Sequence, residues 1–155
     1  MLGECDKRLE ALGYPLDRVP GVGAIYNLVA IDGTTLYTSG CVPFDGDKLA
    51  SKGKVPSQVS LADAKVAAAL CAANVLRNVR NAVGTLDRIE RVLRMVGYVN
   101  TDPDFTEQHL VINGASELLR DVLGENGIGT RTAIGMGQLP LGSSVEVDII
   151  FKLKT

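Results

Sequence analysis

The residues best suited to chemistry lie near the C-terminus of the chain. Arg131 opens one strand-like run and Glu146 opens the next, with Leu139-Pro140-Leu141-Gly142 between them. A guanidinium grips a carboxylate through two parallel hydrogen bonds, and a glutamate can hold or protonate a water molecule. The pair therefore predicts a site for a small anionic substrate. The ordinary alternatives are a surface ion pair for Arg131 and plain solvent exposure for Glu146, and Asp148 on the same strand face is the fallback acid.

The sequence predicts strands around this pair. The apolar residues of the second run fall at every other position, which is the period of a strand with one buried face: Val145, Val147, Ile149, Phe151 and Leu153. Upstream, 25–31 and 34–39 read as two strands joined by an Asp32-Gly33 turn. The segment Gly40–Pro56 carries Gly, Pro and Asp and is expected to be a long loop.

Two main helices are expected. Ser60 is a suitable N-cap for a helix that runs to about Val83 and stops at Gly84. A second helix is expected over 105–124, and a short one over 4–12, followed by a loop over 14–23. The stretch 86–99 is ambiguous, because its apolar residues have helical spacing while Val92–Val99 is rich in β-formers.

The order of elements is ββαβαββ, or ββα followed by an αα hairpin. The first order is preferred and predicts an α+β fold: a single mixed sheet with two main helices on one face. At 155 residues the chain is sized for one domain, 1–155, rather than two.

Composition argues against several classes of function. The net charge of -2 and the lack of a basic stripe argue against a nucleic-acid partner. The three cysteines form no C-x-x-C pair, and the N-terminus is charged within four residues, so neither a disulfide framework nor a signal peptide is expected. No apolar run approaches the roughly 20 residues of a membrane span. We expect a cytoplasmic protein with no membrane, metal or cofactor requirement.

Several short motifs occur in an order and spacing that resemble those of the RidA (YjgF) family of enamine/imine deaminases. The match most specific to function is Arg131, followed by Leu139-Pro140 and Val145-Glu146. The others are Tyr26, Thr38-Ser39-Gly40, Asn74-Val75, Ile89 and Asp104-Phe105.

The resemblance implies a chorismate-mutase-like homotrimer and an activity. Water attacks a small 2-imino or 2-enamino acid, and a 2-keto acid and ammonia are released without a cofactor. Arg131 and Glu146 are the implied catalytic residues. The implied substrate-binding residues are Tyr26, Ser39, Gly40, His109 and Ala133. The resemblance also makes the ambiguous stretch a strand, Arg88–Val99, buried on both faces.

The chain departs from the family pattern at the implied site. Gly129-Thr130-Arg131 replaces the common Pro-x-Arg, His109 stands at a usual asparagine, and Ala133 stands at a common cysteine. With a longer N-terminus, residues 1–20, these departures place the chain in a divergent, extended branch. Packing or turn roles are the alternatives for Tyr26, Ser39, Gly40 and His109. The competing functions are a non-catalytic small-molecule-binding regulatory trimer and an endoribonuclease on single-stranded RNA.

Geometry constrains the two catalytic candidates. If 131–138 and 145–152 paired as a simple hairpin, Gln138 would face Glu146 and leave Arg131 roughly 23 Å away along the strand. Either the two strands are not neighbours, or a second subunit completes the site. We expect the cleft to lie between subunits.

Overall fold

The computed structural model describes residues 1–19 and 21–155, and seven strands and three α-helices occur in this part of the chain. The strands are β1 (Val29–Asp32), β2 (Thr35–Thr38), β3 (Phe44–Asp45), β4 (Lys48–Leu49), β5 (Ile89–Asn100), β6 (Thr130–Met136) and β7 (Val145–Leu153). The helices are α1 (Glu4–Ala11), α2 (Leu61–Val83) and α3 (Gln108–Leu123).

Five of the strands form one mixed sheet in the order β1-β2-β7-β5-β6. The β5–β6 pair is parallel, and the other three pairs are antiparallel. The predicted α+β fold with one mixed sheet is therefore confirmed. Strands β6 and β7 follow each other in sequence, but β5 lies between them, so they form no simple hairpin.

Strand β5 explains why the sequence around it resembled a helix. Its inward residues Ile89, Val92 and Met95 are buried and lie three apart. The register against β7 shifts between Ile89 and Arg91 and again between Val92 and Arg94. At each shift β5 has one extra residue against β7, as in a β-bulge. The spacing between successive inward-facing residues of β5 therefore becomes three instead of two. Within one protomer only one face of β5 is buried, so burial on both faces is not observed.

Helices α2 and α3 pack on each other and on the inner face of the sheet. Helix α2 begins at its predicted cap, where the Ser60 hydroxyl accepts a hydrogen bond from the Asp63 N–H at 3.0 Å. At Gly114 of α3 a Cβ would collide with the carbonyl oxygen of Lys65 in α2. The glycine thus permits a backbone approach that side chains would block.

Three expectations about local structure are corrected. The supposed long loop Gly40–Pro56 contains the two-stranded hairpin β3–β4. The first strand is Val29–Asp32 rather than 25–31. Because Asp32 still pairs with Thr35, the turn lies one residue later than expected, at Gly33-Thr34. Positive φ is needed only at Gly33, where it is 60°.

The N-terminal segment is fastened to the domain. The carboxylate of Asp87 accepts hydrogen bonds at 2.7 Å from the N–H groups of Glu4 and Cys5 at the start of α1. The buried carboxylate of Asp6 accepts one from the Leu86 N–H at 2.9 Å. These bonds satisfy backbone donors that a helix start leaves free. The loop expected over 14–23 includes Pro20, which lies outside the described residues.

No α-helix in the described ranges 1–19 and 21–155 has the length and apolar character needed to cross a membrane.

The close approach of α3 to β5 at Gly97 gives a first prediction. A Cβ at Gly97 would overlap three carbons of the fully buried Ile112 side chain. We expect Gly97→Ala to lower the free energy of unfolding by about 1–3 kcal/mol, because overpacking forces the neighbours apart. Denaturant unfolding measures this change.

Ile112→Val is the matched partner variant, since it removes the methyl group nearest to Gly97. Alone it should cost about 0.5–1.5 kcal/mol. The double variant should lose less than the sum of the two, and strict additivity would contradict this packing.

Candidate functional site

A bulge beside β7 opens the site. The Thr38 hydroxyl accepts from the Ile149 N–H and donates to the Ile149 carbonyl oxygen, each at 2.9 Å. Three residues after Thr38, the backbone of Cys41 pairs at 2.8 and 3.0 Å with that of Val147, which is only two residues from Ile149. Ser39 and Gly40 therefore stand opposite Asp148 alone and leave the ladder, as in a β-bulge.

A cavity of about 580 Å³ lies beside this bulge. Its polar side chains are Tyr26, Ser39, Asn78 and Glu146. Its remaining walls are mostly apolar, from Ala24, Leu28, Cys41, Val42, Phe44, Pro140 and Leu141, with Gly21, Gly23 and Gly40. Four of the predicted site residues thus share one cavity: Tyr26, Ser39, Gly40 and Glu146.

Glu146 is half-buried in this cavity and lies against Gly40. A Cβ on Gly40 would overlap its carboxylate, so a side chain at position 40 would displace the carboxylate from this place. Burial raises the pKa of the Glu146 carboxyl above its ordinary value, and the charge of Asp148 raises it further. The group is thus better placed to exchange a proton near neutral pH than an exposed glutamate.

Asp148, the fallback acid, is already engaged elsewhere. The Tyr98 hydroxyl on β5 donates to its carboxylate at 2.8 Å. Burial and this bond raise the pKa of Tyr98 to about 12, so the phenol keeps its proton. Asp148 lies on the outer face of the sheet and does not line the cavity.

Ser39 uses its polar groups to hold the backbone beside the cavity, whereas Tyr26 presents a half-exposed ring there. The Ser39 hydroxyl donates to the Asn27 carbonyl oxygen at 2.6 Å, and its N–H donates to that of Leu28 at 3.0 Å. Ser39 therefore holds the segment that carries Tyr26. Tyr26 is 45% exposed. Its ring lies at the cavity with a free path to solvent.

Arg131 lies elsewhere, on the edge strand β6, where its exposed side chain reaches α3. Its Nη1 donates to Asn113 Oδ1 at 2.8 Å and to Ser116 Oγ at 3.1 Å. Its Nη2 donates to the His109 carbonyl oxygen at 3.2 Å. The guanidinium is therefore fixed against the N-terminal half of α3.

Within one protomer, Arg131 and Glu146 point to opposite faces of the sheet. Arg131 is in register with Met95 of β5, and Glu146 with Tyr98. Positions three apart on a strand have opposite faces. Two strand spacings and three residues of rise put the two Cα atoms about 14 Å apart. One small molecule cannot touch both groups of the same subunit.

His109 and Ala133 accompany Arg131 rather than Glu146. His109 contributes its carbonyl oxygen, while its side chain is exposed. Ala133 follows Arg131 on the same strand face and packs on the core. The sequence missed Asn113 and Ser116, which hold the guanidinium. Asn113 lies one helical turn after His109, so the i, i+4 relation was the available signal.

A buried network on α2 supports the cavity wall. Asn74 Nδ2 donates to the carbonyl oxygens of Val42 at 3.2 Å and Phe44 at 2.9 Å. Its Oδ1 accepts at 2.8 Å from Nη1 of Arg77, whose Nε donates to the Pro15 carbonyl oxygen at 2.8 Å. Arg77 is 1% exposed. Its desolvation lowers the pKa of the guanidinium.

Cys41 and Asn78, which the sequence also missed, contact each other in the same wall. Asn78 Nδ2 donates to Cys41 Sγ at 3.4 Å. Burial raises the pKa of the Cys41 thiol to about 12. A thiol of this kind stays protonated and is a poor nucleophile.

In the part of the chain that the structure describes, no three His, Cys, Asp or Glu side chains are close enough together to hold a metal ion.

The fold agrees with comparisons to known proteins. Residues 6–153 match the family model described as "YjgF/chorismate_mutase-like, putative endoribonuclease". The chain belongs to this YjgF/chorismate mutase-like family, also known as RidA/L-PSP.

Individual proteins are also similar to this chain. Protein TCP17 of Trypanosoma cruzi is 35% identical over 152 residues, which cover 97% of this chain and 95% of that protein. The structure of Atu1372 from Agrobacterium tumefaciens, described as of unknown function, superposes with a TM-score of 0.91 at 44% identity and covers 97% of this chain and 92% of that one. The structure of E. coli TdcF with bound serine shares the fold, with a TM-score of 0.62 at 18% identity and coverage of 89% and 94%.

The raised pKa of Glu146 predicts a pH-dependent effect on stability. Folding disfavours the charged carboxylate, so this group lowers the free energy of unfolding as the pH rises from about 4.5 through its folded pKa. We expect Glu146→Gln to be more stable than wild type at pH 7, by roughly a few tenths of a kcal/mol because solvent still screens the group. The difference should vanish below pH 4.

Denaturant unfolding from pH 4 to 8 measures the difference. Glu10→Gln, on the exposed surface of α1, is the matched control and should show no comparable gap. A gap at Glu146 that is equal at pH 4 and pH 7 would mean that the substitution acts through packing.

Proposed function

We propose that the protein hydrolyses 2-imino or 2-enamino acids to 2-keto acids and ammonia, at a site that two subunits of a homotrimer build together. The observation that carries the proposal is the division of the candidate residues into two groups. Tyr26, Ser39, Gly40 and Glu146 line a cavity, while Arg131 lies on the opposite, helix-covered face of the sheet, at its β6 edge. Among the described residues, the cavity has no cation to bind the substrate carboxylate, and Arg131 has no acidic partner that could transfer a proton.

The Arg131 group is suited to bind a carboxylate from outside its own subunit. Its three hydrogen bonds to α3 use both Nη1 hydrogens and one Nη2 hydrogen. They leave Nε–H and one Nη2–H, two donors that a substrate carboxylate can accept from. No ion pair among the described residues includes Arg131.

The Glu146 group is suited to the proton transfers. As water adds to the iminium carbon, its carboxylate takes a proton from that water and leaves a carbinolamine. The same proton then passes to the nitrogen, and the C–N bond breaks to release ammonia. As the C=O bond forms, the hydroxyl proton passes to the Glu146 carboxylate, which then loses it to ammonia or to solvent. The net reaction is iminium plus water to ketone plus ammonium, with no change of oxidation state. A carboxyl with a raised pKa serves both steps near neutral pH.

A trimer provides a cover for the outer face of the sheet. That face carries apolar residues that one protomer leaves partly open: Tyr37, Val96, Ile134 and Ile150. Tyr37 is 46% exposed and Ile134 38%. Such a face favours self-association. Packing two copies edge to face would bring Arg131 of one towards the cavity of the next.

The cavity is a poor match for the competing ribonuclease activity. No lysine or arginine of the described residues lines it. A single-strand binder needs cations that follow the phosphate backbone.

The test is ammonia release from imines that an amino-acid oxidase generates in situ. Arg131→Ala should lower kcat/KM by roughly 100-fold or more, because two charge-assisted hydrogen bonds to the substrate are lost. Arg131→Lys should remain strongly impaired, since a point charge cannot replace the fork. Arg120→Ala, on the exposed surface of α3, is the control and should keep full activity.

Sedimentation of the same samples should show unchanged trimers. Full turnover by Arg131→Lys would overturn the clamp. A wild-type protein that binds 2-keto acids but releases no ammonia from any imine would instead be the non-catalytic binding trimer.

A further inference from the structure

The size and lining of the cavity bear on which side chain the substrate carries. At about 580 Å³ it falls within the range of pockets that enclose drug-sized ligands. A three-carbon imino acid would fill only a small part of it. We propose, on the basis of the function proposed above, that this cavity selects 2-imino acids with a large apolar side chain, aromatic or branched, rather than the smallest members of the class.

The chemistry of the wall favours such a side chain. Leu28, Val42, Phe44 and Leu141 contribute apolar surface, and within residues 1–19 and 21–155 the cavity has one charged lining group, Glu146. Inside the cavity, the carboxylate of a substrate would have no cationic partner among the described residues. The substrate carboxylate therefore stays at the mouth, where Arg131 of another subunit can reach it, and the apolar end points inward.

The apolar wall is held in place before any ligand arrives. The carbonyl oxygens of Val42 and Phe44 both accept hydrogen bonds from the buried Asn74 side chain, which Arg77 holds in turn. A fixed wall discriminates by size, because it cannot collapse around a smaller ligand.

Leu141, which also lines the cavity, provides a second, independent sign of an apolar ligand. It has a φ of 61°, a left-handed conformation that disfavours branched side chains, and it is 64% exposed. Glycine or asparagine would suit this backbone better and would present less apolar surface to water. Leu141 is thus a strained residue beside the cavity, with apolar surface available for a ligand.

The test compares the binding of two 2-keto acids, 3-phenylpyruvate and pyruvate, to the wild-type protein by isothermal titration calorimetry. Binding is measured without turnover, so the result does not depend on deamination. We expect 3-phenylpyruvate to bind wild-type protein at least about tenfold more tightly, because its ring fills the apolar wall.

Two variants test whether the cavity wall causes the preference for 3-phenylpyruvate. Val42→Trp fills the cavity and should remove most of the preference while pyruvate still binds, and Val66→Trp, on the exposed surface of α2, should change neither affinity. If Val42→Trp fails to fold, Leu141→Asn serves instead, since the left-handed backbone tolerates asparagine. It should weaken 3-phenylpyruvate binding about threefold or more and leave pyruvate unaffected.

Equal affinities in the wild type, binding of neither compound, or an unchanged preference in the folded cavity variants would overturn the proposal. A clear preference that the variants remove, in a protein that releases no ammonia from any imine, would support the cavity's selectivity and reject only the deaminase activity.

Discussion

The alternation of side chains across a β-sheet is the constraint on which the site depends. Arg131 and Glu146 lie on strands separated by β5, and their registers differ by three residues, so their side chains point to opposite faces. No rotamer change can move a side chain through a packed sheet. If the two groups act on one molecule, they come from different subunits, and assembly becomes part of the chemistry.

The fold prepares each half of the site by a separate device. The Thr38 hydroxyl bonds the N–H and the carbonyl oxygen of Ile149, in place of a backbone partner. Ser39 and Gly40 can therefore leave the ladder, which makes room for the Glu146 carboxylate. On the other side, Asn113 and Ser116 fix the guanidinium of Arg131. Both devices use short polar side chains on regular elements, which hold a site more firmly than loops do.

The sequence predicted the elements whose signals are local and missed those that depend on partners. The Ser60 cap, the alternation in β7 and the mixed α+β sheet were visible because capping and period-2 burial are local properties. Strand β5 was ambiguous from its local pattern, because bulges against β7 imitate helical spacing, but the family resemblance implied a strand over Arg88–Val99 and the structure confirms it. Of the site, motif spacing alone selected Glu146 and its cavity neighbours. Asn78 and Asn113 were missed because their relevance comes from side chains distant in sequence.

A mixed-subunit experiment tests the shared site most directly. Subunits carrying Arg131→Ala and subunits carrying Glu146→Gln would be refolded together in equal amounts, and ammonia release would be assayed. If each site takes its arginine and its glutamate from different subunits, every mixed trimer regains one intact site of three, and activity should recover to about a quarter of wild type. A mixture no more active than its two inactive parents would contradict a site built between subunits.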